Sequence, residues 1–339
     1  MMLFSLFLML SAPAKPWTIV SPDGVTHAYP EQIPPSEWLV VEPLPIENIP
    51  PFDSRSFLEQ CANTHAYLKR NPSAPLGVLA ELGYTQESRI QAYETILSSQ
   101  NNPAQLHDVN WWHTHFQRVR IHDRTKENPS SIRLTKYVVY QVQGSAEKTD
   151  VYNHALWGIA EGHPKESLYT HSRVDILAGV LETQSHVRPL VWLTQNDALE
   201  AQMQGTIEVS FPDKSKKLYN VHLHNNMPYQ KGVPSTKQHR YWYFRDVDFV
   251  YGWGEEEKVP ITTDTSFAGD VENLGFGTIM WVQSPQRSQM GLLVDTGGAF
   301  QPNLGQFDWF IGSVRNKEHF YERATEYPSY GTVDLLLPR

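Results

Sequence analysis

Short runs of strand-forming residues, separated by turns, constrain this chain more than any other feature of its sequence. Apolar and polar residues alternate over 207–211, Pro-Asp-Lys-Ser follows at 212–215, and apolar residues alternate again over 219–223. A period of two on either side of a turn is typical of a β-hairpin. The run Tyr-Val-Val-Tyr-Gln-Val at 137–142 is also rich in strand formers. With 24 prolines and 20 glycines in the chain, the pattern predicts a mainly β protein with many turns.

The region before residue 110 differs, because its apolar residues recur at helical spacing. Asp53 precedes a run in which Cys61 and Leu68 share one face, so we expect Asp53 to cap a helix. A second helix should begin at about Thr85, and a third should interrupt the strands from Ser172 to Glu182. Cys61 is the only cysteine, which excludes an internal disulfide. Its place on the apolar face predicts a core thiol rather than a nucleophile.

Composition excludes several classes of protein. The chain has 339 residues, which suits two domains better than one. Its sequence contains no apolar run of roughly 18 residues, the length that a transmembrane helix needs. Its net charge is −9 and no basic block occurs, so we expect no nucleic-acid partner, because such binding depends on cations that neutralise phosphates.

The first 14 residues are apolar and close with Ala-Pro-Ala, a small-x-small pattern typical of a signal-peptidase site. They contain no lysine or arginine ahead of the apolar run, which departs from the usual signal peptide. A buried N-terminal strand or a misplaced start codon are the alternatives. We expect a signal peptide over 1–14 and a soluble protein that is exported or periplasmic. No cysteine near the cleavage site could carry a lipid.

Paired histidines raise the question of a metal. His222 and His224 share one face of a predicted strand, and His113 and His115 share a face of another. Such pairs can bind zinc when a third ligand is present. The sequence offers neither a cysteine pair nor a His-Glu-x-x-His pattern. We therefore expect no metal and no cofactor.

The most specific signal lies near the C-terminus. The segment 292–300 reads Leu-Leu-Val-Asp-Thr-Gly-Gly-Ala-Phe, 305–310 reads Gly-Gln-Phe-Asp-Trp-Phe, and 331–338 ends in Leu-Leu-Leu-Pro. Together these segments resemble the three-aspartate domain of the membrane-bound lytic murein transglycosylase A family. The resemblance identifies the three aspartates as Asp270, Asp295 and Asp308.

The resemblance extends upstream, over roughly residues 130–339. The segment 197–205, which ends in Gln-Met-Gln-Gly, resembles the family's Gln-x-Gln-Gly strand, and 134–137 matches the start of its Leu-Thr-Gly-Tyr-Tyr motif. Two departures mark a divergent member: Lys136 replaces a glycine and Thr206 replaces a serine. They put the choice of glycan in doubt more than the chemistry.

The resemblance implies a mainly β fold. Its parts are a double-psi β-barrel (barwin-like), a second, inserted β domain and an N-terminal helical part. The expected boundaries are 1–14 for the signal peptide and 15–145 for an N-terminal arm, helices and first barrel strands. The inserted domain then spans 146–245 and the three-aspartate barrel 246–339. A peptidoglycan glycan strand, the expected partner, should run in the groove between the two β parts.

The family's chemistry is cleavage of the MurNAc–GlcNAc β-1,4 bond, with the C6 hydroxyl of the muramic acid as internal nucleophile and a 1,6-anhydro end as product. One carboxyl group suffices, because it can protonate the leaving oxygen and then accept the C6 proton. By resemblance that residue is Asp308, whose apolar neighbours favour its protonated form by desolvation. Asp295 is the expected supporting carboxyl group, and Asp270 should hold the barrel together.

Candidate sugar contacts come from polar and glycine residues near these aspartates. They are Thr135, Tyr137, Gln204, Gly205, Gly297 and Gly298. The two adjacent glycines allow positive φ or a close approach of the backbone to the sugars, and a plain tight turn is the alternative. Two other functions stay open. One is a non-catalytic protein that binds cell-wall glycan, and the other is a barrel-type glycoside hydrolase with Asp295 as general base.

Overall fold

The computed structural model describes residues 51–123, 127–230, 232–254, 256–297 and 303–339, together with 18–20, 26–28, 39–44, 49 and 300. The predicted signal peptide and most of the predicted arm lie outside the described residues.

The strands of the described residues are β1 (Thr18–Val20), β2 (Thr26–Ala28), β3 (Leu39–Leu44), β4 (Phe116–Ile121), β5 (Ile132–Gln143), β6 (His154–Ile159), β7 (Val187–Leu193), β8 (Thr206–Ser210), β9 (Lys216–His224), β10 (Trp242–Val247), β11 (Ser266–Ala268), β12 (Thr278–Gln283), β13 (Ser288–Asp295), β14 (Gln306–Val314) and β15 (Tyr330–Pro338).

The described residues contain fewer helices than strands. The α-helices of the described residues are α1 (Ser54–Arg70), α2 (Val78–Glu81), α3 (Gln86–Leu97), α4 (Val109–His115), α5 (Arg173–Leu177), α6 (Gln195–Gln204), α7 (Val271–Leu274) and α8 (Lys317–Ala324). Short 3-10 helices lie at Ser98–Asn101, Pro103–His107, Lys165–Tyr169, Val180–Thr183 and Ser235–Lys237. In the described part of the chain, no helix combines the length and apolar composition that crossing a membrane requires.

Both predicted N-terminal helices are confirmed. Asp53 caps α1, and its carboxylate accepts hydrogen bonds from the backbone N–H groups of Arg55 at 3.0 Å and Ser56 at 3.3 Å. Thr85 caps α3 in a reciprocal pair of bonds with Ser88. Cys61 is fully buried in the core, and burial raises the pKa of its thiol, so the prediction of a core thiol is confirmed.

A large mixed sheet organises the rest of the molecule. Its eleven strands are hydrogen-bonded in the order β10-β9-β8-β5-β14-β11-β13-β12-β15-β4-β3. A further pairing joins β5 to β15, at Tyr330↔Arg133 and Gly331↔Ile132. This pairing closes a ring of six strands: β5, β14, β11, β13, β12 and β15. We call this the six-stranded ring. Large apolar side chains pack inside the sheet, so the mainly β prediction is confirmed.

Beyond the ring, the sheet continues from β5 through β8, β9 and β10. The separate two-stranded sheet β6–β7 lies beside this part, and a second apolar cluster that includes Trp157, Leu168 and Tyr243 fills the space between them. We call residues 144–247 the extension. The predicted hairpin is confirmed, because β8 and β9 pair antiparallel with Ile207 opposite Tyr219. The domain boundaries at 146 and 245 stay a prediction.

Two predicted elements were wrong, and a third was only partly correct. The segment 197–205 is not a strand, because α6 spans it. Thr194 caps that helix, its residues are good helix formers, and Gly205 ends it with φ of 79°. The helix predicted from Ser172 to Glu182 was partly correct, because Ser172 caps α5 but the helix breaks at Gly179, whose φ is 93°. His113 and His115 lie on α4 rather than on a strand.

Candidate active site

Three adjacent strands bring two of the predicted aspartates together. On one side of β11, Ala268 pairs with Asp308 of β14, and on the other side it pairs with Asp295 of β13. Adjacent strands lie about 4.8 Å apart, which puts the backbones of the two aspartates about 10 Å from each other. Each aspartate is half-buried. The negative charge of Asp308 also raises the pKa of Asp295, so the two carboxyl groups act on each other.

Asp308 is held by a short network of polar side chains. The Nε2 amide of Gln306 donates to Asp308 Oδ1 at 3.2 Å and to Thr135 Oγ1 at 2.9 Å. Thr135 lies directly opposite Asp308 on β5. Burial raises the pKa of Asp308 to about 6, against the opposing effects of Gln306, Arg133 and Lys136. A substantial fraction of this carboxyl group is therefore protonated in weakly acidic solution.

Asp295 has a different set of neighbours. The backbone N–H of Thr296 donates to Asp295 Oδ1 at 2.8 Å. Burial raises the pKa of Asp295, while Thr296, Lys258 and Tyr137 lower it. The hydroxyl of Tyr137 is buried, and burial, then both aspartates, raise its pKa well above the usual value. Tyr137 therefore keeps its proton and can donate it in a hydrogen bond.

Lys258 is a site residue that sequence reasoning missed. It is only 9% exposed. Its Nζ donates to Asn220 Oδ1 at 2.9 Å and to the carbonyl of Val221 at 2.6 Å, and its charge lowers the pKa of Asp295. Lys258 is thus hydrogen-bonded to β9 of the extension and acts electrostatically on Asp295 at the end of β13. It follows a run of glutamates in the sequence, a pattern typical of a solvated surface, so no local signal could have found it.

Lys136, the residue that departs from the family motif, also lies near the site. Its Nζ donates to the carbonyls of Leu134 at 3.2 Å and Pro328 at 2.8 Å. Burial lowers the pKa of Lys136, and Asp308 opposes that shift. The substitution for glycine therefore places a cation close enough to stabilise the ionised form of Asp308.

Asp270 has hydrogen-bond partners that differ from those of Asp295 and Asp308. It is 1% exposed. Its carboxylate accepts from the backbone and side-chain amides of Asn273 at 3.1 and 2.8 Å, and from the backbone N–H of Asn303 at 3.0 Å. It thereby caps α7 and ties the loop before β14 to the end of β11. This bonding supports the architectural role expected for Asp270.

Two of the predicted sugar contacts, Gln204 and Gly205, take part in the fold itself. The Oε1 atom of Gln204 accepts from the backbone N–H of Val138 at 3.1 Å, and Gly205 ends α6. The φ of Gly297 is not positive, so the positive-φ reason for this glycine was wrong. A Cβ added at Gly297 would make ordinary van der Waals contact with the ring of Phe300, 3.8 Å away, so the described residues leave room for a small side chain here. Gly298 lies outside the described residues.

The described residues contain no group of three or more histidine, cysteine, aspartate or glutamate side chains placed to hold a metal ion. His222 and His224 do share β9, as expected. Burial lowers the pKa of both imidazoles, that of His224 to about 4. Both rings are therefore largely neutral at neutral pH.

Comparison with known proteins identifies the fold. No protein-family profile and no curated protein matches the chain. A solved membrane-bound lytic murein transglycosylase from Agrobacterium tumefaciens matches with a TM-score of 0.65 and 19% identity, over 85% of this chain and 94% of that one. MltA from Escherichia coli with bound chitohexaose matches with a TM-score of 0.62 and 16% identity, over 88% and 95%. MltA from Neisseria gonorrhoeae matches with a TM-score of 0.61 and 14% identity, over 87% and 92%.

At these identities the likeness shows the fold alone. The chain therefore has the fold of these lytic transglycosylases, and the resemblance drawn from the aspartate motifs is confirmed at that level. The solved proteins are matched over nearly their whole length, so the fold includes the extension as well as the six-stranded ring.

Proposed function

We propose that this protein is a peptidoglycan lytic transglycosylase that cleaves the MurNAc–GlcNAc β-1,4 bond and leaves 1,6-anhydro-MurNAc ends. The observation that carries the proposal is the Asp308 carboxyl group. Its pKa is raised to about 6 by burial, and it lies beside Asp295 in a fold shared with lytic murein transglycosylases. In this proposal the six-stranded ring is a double-psi β-barrel and residues 146–245 form the inserted domain.

Asp308 performs both proton transfers. In the first step it donates its proton to the glycosidic oxygen as the bond between that oxygen and C1 of the muramic acid breaks. In the second step the C6 oxygen of the same sugar bonds to C1, and the C6 hydroxyl proton returns to Asp308. No water is consumed and the acid is regenerated. Holding the C6 hydroxyl near C1 replaces an attacking water, and a well-placed acid contributes roughly 10²–10⁴-fold to the rate.

The neighbouring groups prepare this chemistry. Gln306 and Thr135 fix the Asp308 carboxyl group through the amide of Gln306. Lys258 favours the ionised form of Asp295, whose charge stabilises the positive charge that develops at C1. The absence of a side chain at Gly297 lets a sugar ring approach the backbone. A glycan occupant is supported by the chitohexaose bound to the Escherichia coli protein.

A glycoside hydrolase is the second candidate, and one observation favours it. Asp295 and Asp308 flank the same residue of β11, and burial raises the pKa of both. Inverting hydrolases use two carboxyl groups about 6.5–9.5 Å apart with a water between them. In that case Asp295 would activate the water and every product would carry a reducing end.

The products decide between the candidates. Purified sacculi are digested in water enriched in heavy oxygen, and the released muropeptides are weighed by mass spectrometry. Unlabelled anhydro products, lighter by one water than hydrolytic products, support the transglycosylase. Labelled reducing ends above a no-enzyme control support the hydrolase and overturn the proposal. Glycan binding without any release of muropeptides identifies a non-catalytic binding protein.

We also propose export, because the peptidoglycan substrate lies outside the cytoplasmic membrane. The apolar segment 1–14 with its Ala-Pro-Ala ending supports cleavage after Ala14. Sequencing the N-terminus of the protein recovered from a periplasmic extract tests this. A mature chain that begins at Lys15 supports export, and an intact N-terminus in the cytoplasmic fraction contradicts it.

A further inference from the structure

Arg240 of the extension carries a charge that no described residue balances. Its guanidinium lies over the ring of Trp242, 5.2 Å from the ring centroid. The residue is half-buried, and its Nε atom is buried without a hydrogen-bond partner. No described side chain or carbonyl forms an ion pair or hydrogen bond with this guanidinium. A half-buried guanidinium with no partner among the described residues can form charge-assisted hydrogen bonds with an anion from outside the chain.

A second buried arginine adds to the excess of positive charge. Arg173 is 6% exposed. Its guanidinium donates to neutral acceptors, the carbonyl and hydroxyl of Ser235 at 3.2 and 3.1 Å and Gln202 Oε1 at 3.4 Å. The charge of Arg240 disfavours that of Arg173. The nearby carboxylate of Asp175 accepts instead from the backbone and hydroxyl of Ser172, at 3.0 and 2.7 Å.

Trp242 connects this place to the candidate active site. Both backbone groups of Trp242 bond to the side-chain amide of Gln202, at 2.9 and 2.8 Å. Gln202 lies on α6 two residues before Gln204, whose side chain holds Val138 next to Tyr137. Four strand spacings separate β14 from β10 in the sheet, which is about 19 Å. A glycan strand that reaches Asp308 can therefore extend to Trp242.

We propose that Arg240 and Trp242 form a subsite that binds a carboxylate carried by the peptidoglycan strand at a distance from the bond that is cleaved. The planar guanidinium matches a carboxylate with two parallel hydrogen bonds. The indole ring offers an apolar face for a sugar ring. His224, whose ring centroid lies 5.0 Å from that of Trp242, borders the subsite without adding a second full charge, because it is largely neutral.

This inference rests on the proposed function and names part of its substrate. Two sources could supply the carboxylate. In strands that carry stem peptides it comes from the peptide, because the lactyl group of muramic acid is then tied up in an amide bond. In strands stripped of peptide by an amidase, the lactyl carboxylate itself is free.

Binding measurements test the subsite independently of catalysis. Asp308→Asn serves as the background, so that no ligand is cleaved, and Arg240→Gln is added to it. Arg188→Gln, which changes an exposed arginine of β7, is the matched control. Kd is measured by titration calorimetry for three ligands: peptide-bearing strands, amidase-treated strands and chitohexaose, which has no carboxylate. A charge-assisted pair predicts a loss of about tenfold to a hundredfold.

We expect Arg240→Gln to weaken binding of at least one carboxylate-bearing ligand by that amount and to leave chitohexaose unchanged. Loss confined to peptide-bearing strands identifies the stem peptide, and loss for both strands includes the lactyl group. Unchanged Kd for all ligands, or equal loss for chitohexaose, overturns the subsite. Circular dichroism confirms that each variant is folded. If the parent protein cleaves nothing but keeps carboxylate-dependent binding, the proposed function fails and the subsite stands.

Discussion

The six-stranded ring and strands β8–β10 of the extension belong to one sheet, yet the two regions differ in the sign of the charges that they bury. The ring supplies carboxyl groups, Asp295 and Asp308, whose pKa values are raised mainly by burial. The extension supplies Arg173 and Arg240, whose pKa values burial lowers. Desolvation opposes the charged form in both regions. In the functions proposed above, the ring carries out the proton transfers and the extension binds an anionic part of the substrate.

Lys258 lies where the two regions meet. Its ammonium group donates hydrogen bonds to β9 in the extension and acts electrostatically on Asp295 in the ring. Gly252 packs in the same place, because a Cβ there would lie 3.2 Å from Asp295 Cβ and 2.6 Å from the carbonyl of Val294. The contact between the regions therefore helps to set the protonation of a ring carboxyl group.

The largest expected effect follows replacement of the proposed acid in the ring. Asp308→Asn should lower the rate of sacculus digestion by roughly 10²–10⁴-fold, because an amide cannot donate the proton. Asp295→Asn should lower it less, because its role is supporting. Both rates are measured by release of soluble muropeptides. An unchanged rate in a folded Asp308→Asn protein contradicts the proposal, and a greater loss at Asp295 reverses the assignment.

The same variant should also change stability. The pKa of Asp308 is raised from 3.8 to about 6 in the folded state, so its protonated form stabilises the fold at low pH and that stabilisation is lost as pH rises through 6. At pH 7, Asp308→Asn should therefore be more stable than the parent by about 1–2 kcal/mol, after a discount for solvent screening. The difference in unfolding free energy between the variant and the parent, measured by urea unfolding at each pH, should vanish near pH 4.

A buried carboxylate of the ring, paired with two arginines of the adjacent strand β4, predicts the next largest effect. Asp334 is fully buried and accepts from Arg118 Nε at 2.7 Å, Arg120 Nε at 2.8 Å and Gln283 Nε2 at 2.8 Å. Asp334→Asn should cost about 3–5 kcal/mol of unfolding free energy, because it removes a fully buried charge that forms ion pairs with two half-buried arginines. The exposed pair Lys216–Glu208 of the extension is the control.

Lys216→Met should cost no more than about 1 kcal/mol, because water screens an exposed pair. Both free energies come from urea unfolding at pH 7. Equal costs at the two positions would show that burial does not distinguish the ring from the extension in this respect.

Much of the fold could be predicted from local sequence, because the patterns at Asp53, Thr85 and 207–223 are formed by neighbouring residues. The segment 197–205 could not, since resemblance to a strand motif hid the cap at Thr194 and the stop at Gly205. The aspartate pair was found because its motif is linear. Lys258 and Gln306 were missed because they reach the site through β-pairings and turns, which leave no period in the sequence.

The two lysines near the aspartates predict smaller effects, on the pH dependence of the rate. Asp295 is faced by Lys258, Tyr137 and Asp308. Removing the cation with Lys258→Met should raise the pKa of Asp295, so the limb on which activity rises with pH should move to higher pH. Lys258→Arg keeps the charge and should restore the position of that limb, which a purely structural role would not do.

Lys136→Gly, which restores the family residue, should move the other limb. Asp308 is faced by Arg133, Lys136 and Asp295. Loss of the Lys136 charge should raise the pKa of Asp308 further, so activity should persist to higher pH before it falls. The measurement is kcat against pH for the parent and each variant. If Lys258→Met and Lys136→Gly move the same limb, the separate assignment of the two aspartates is wrong.

The smallest expected effects concern two glycines, of which one leaves space for a ligand and the other provides a positive φ. Gly297 has no positive φ and has room for a Cβ, so Gly297→Ala should leave stability unchanged or raise it by about 0.4–1 kcal/mol. Gly205, at φ of 79°, is the contrast, and Gly205→Ala should cost about 1–2 kcal/mol. If a sugar ring lies against the backbone of Gly297, the added methyl group should weaken chitohexaose binding although the protein is no less stable. Calorimetric titration and thermal unfolding of both variants measure the two quantities. Unchanged affinity for chitohexaose in a stable Gly297→Ala protein would show that the glycan does not contact the six-stranded ring at Gly297.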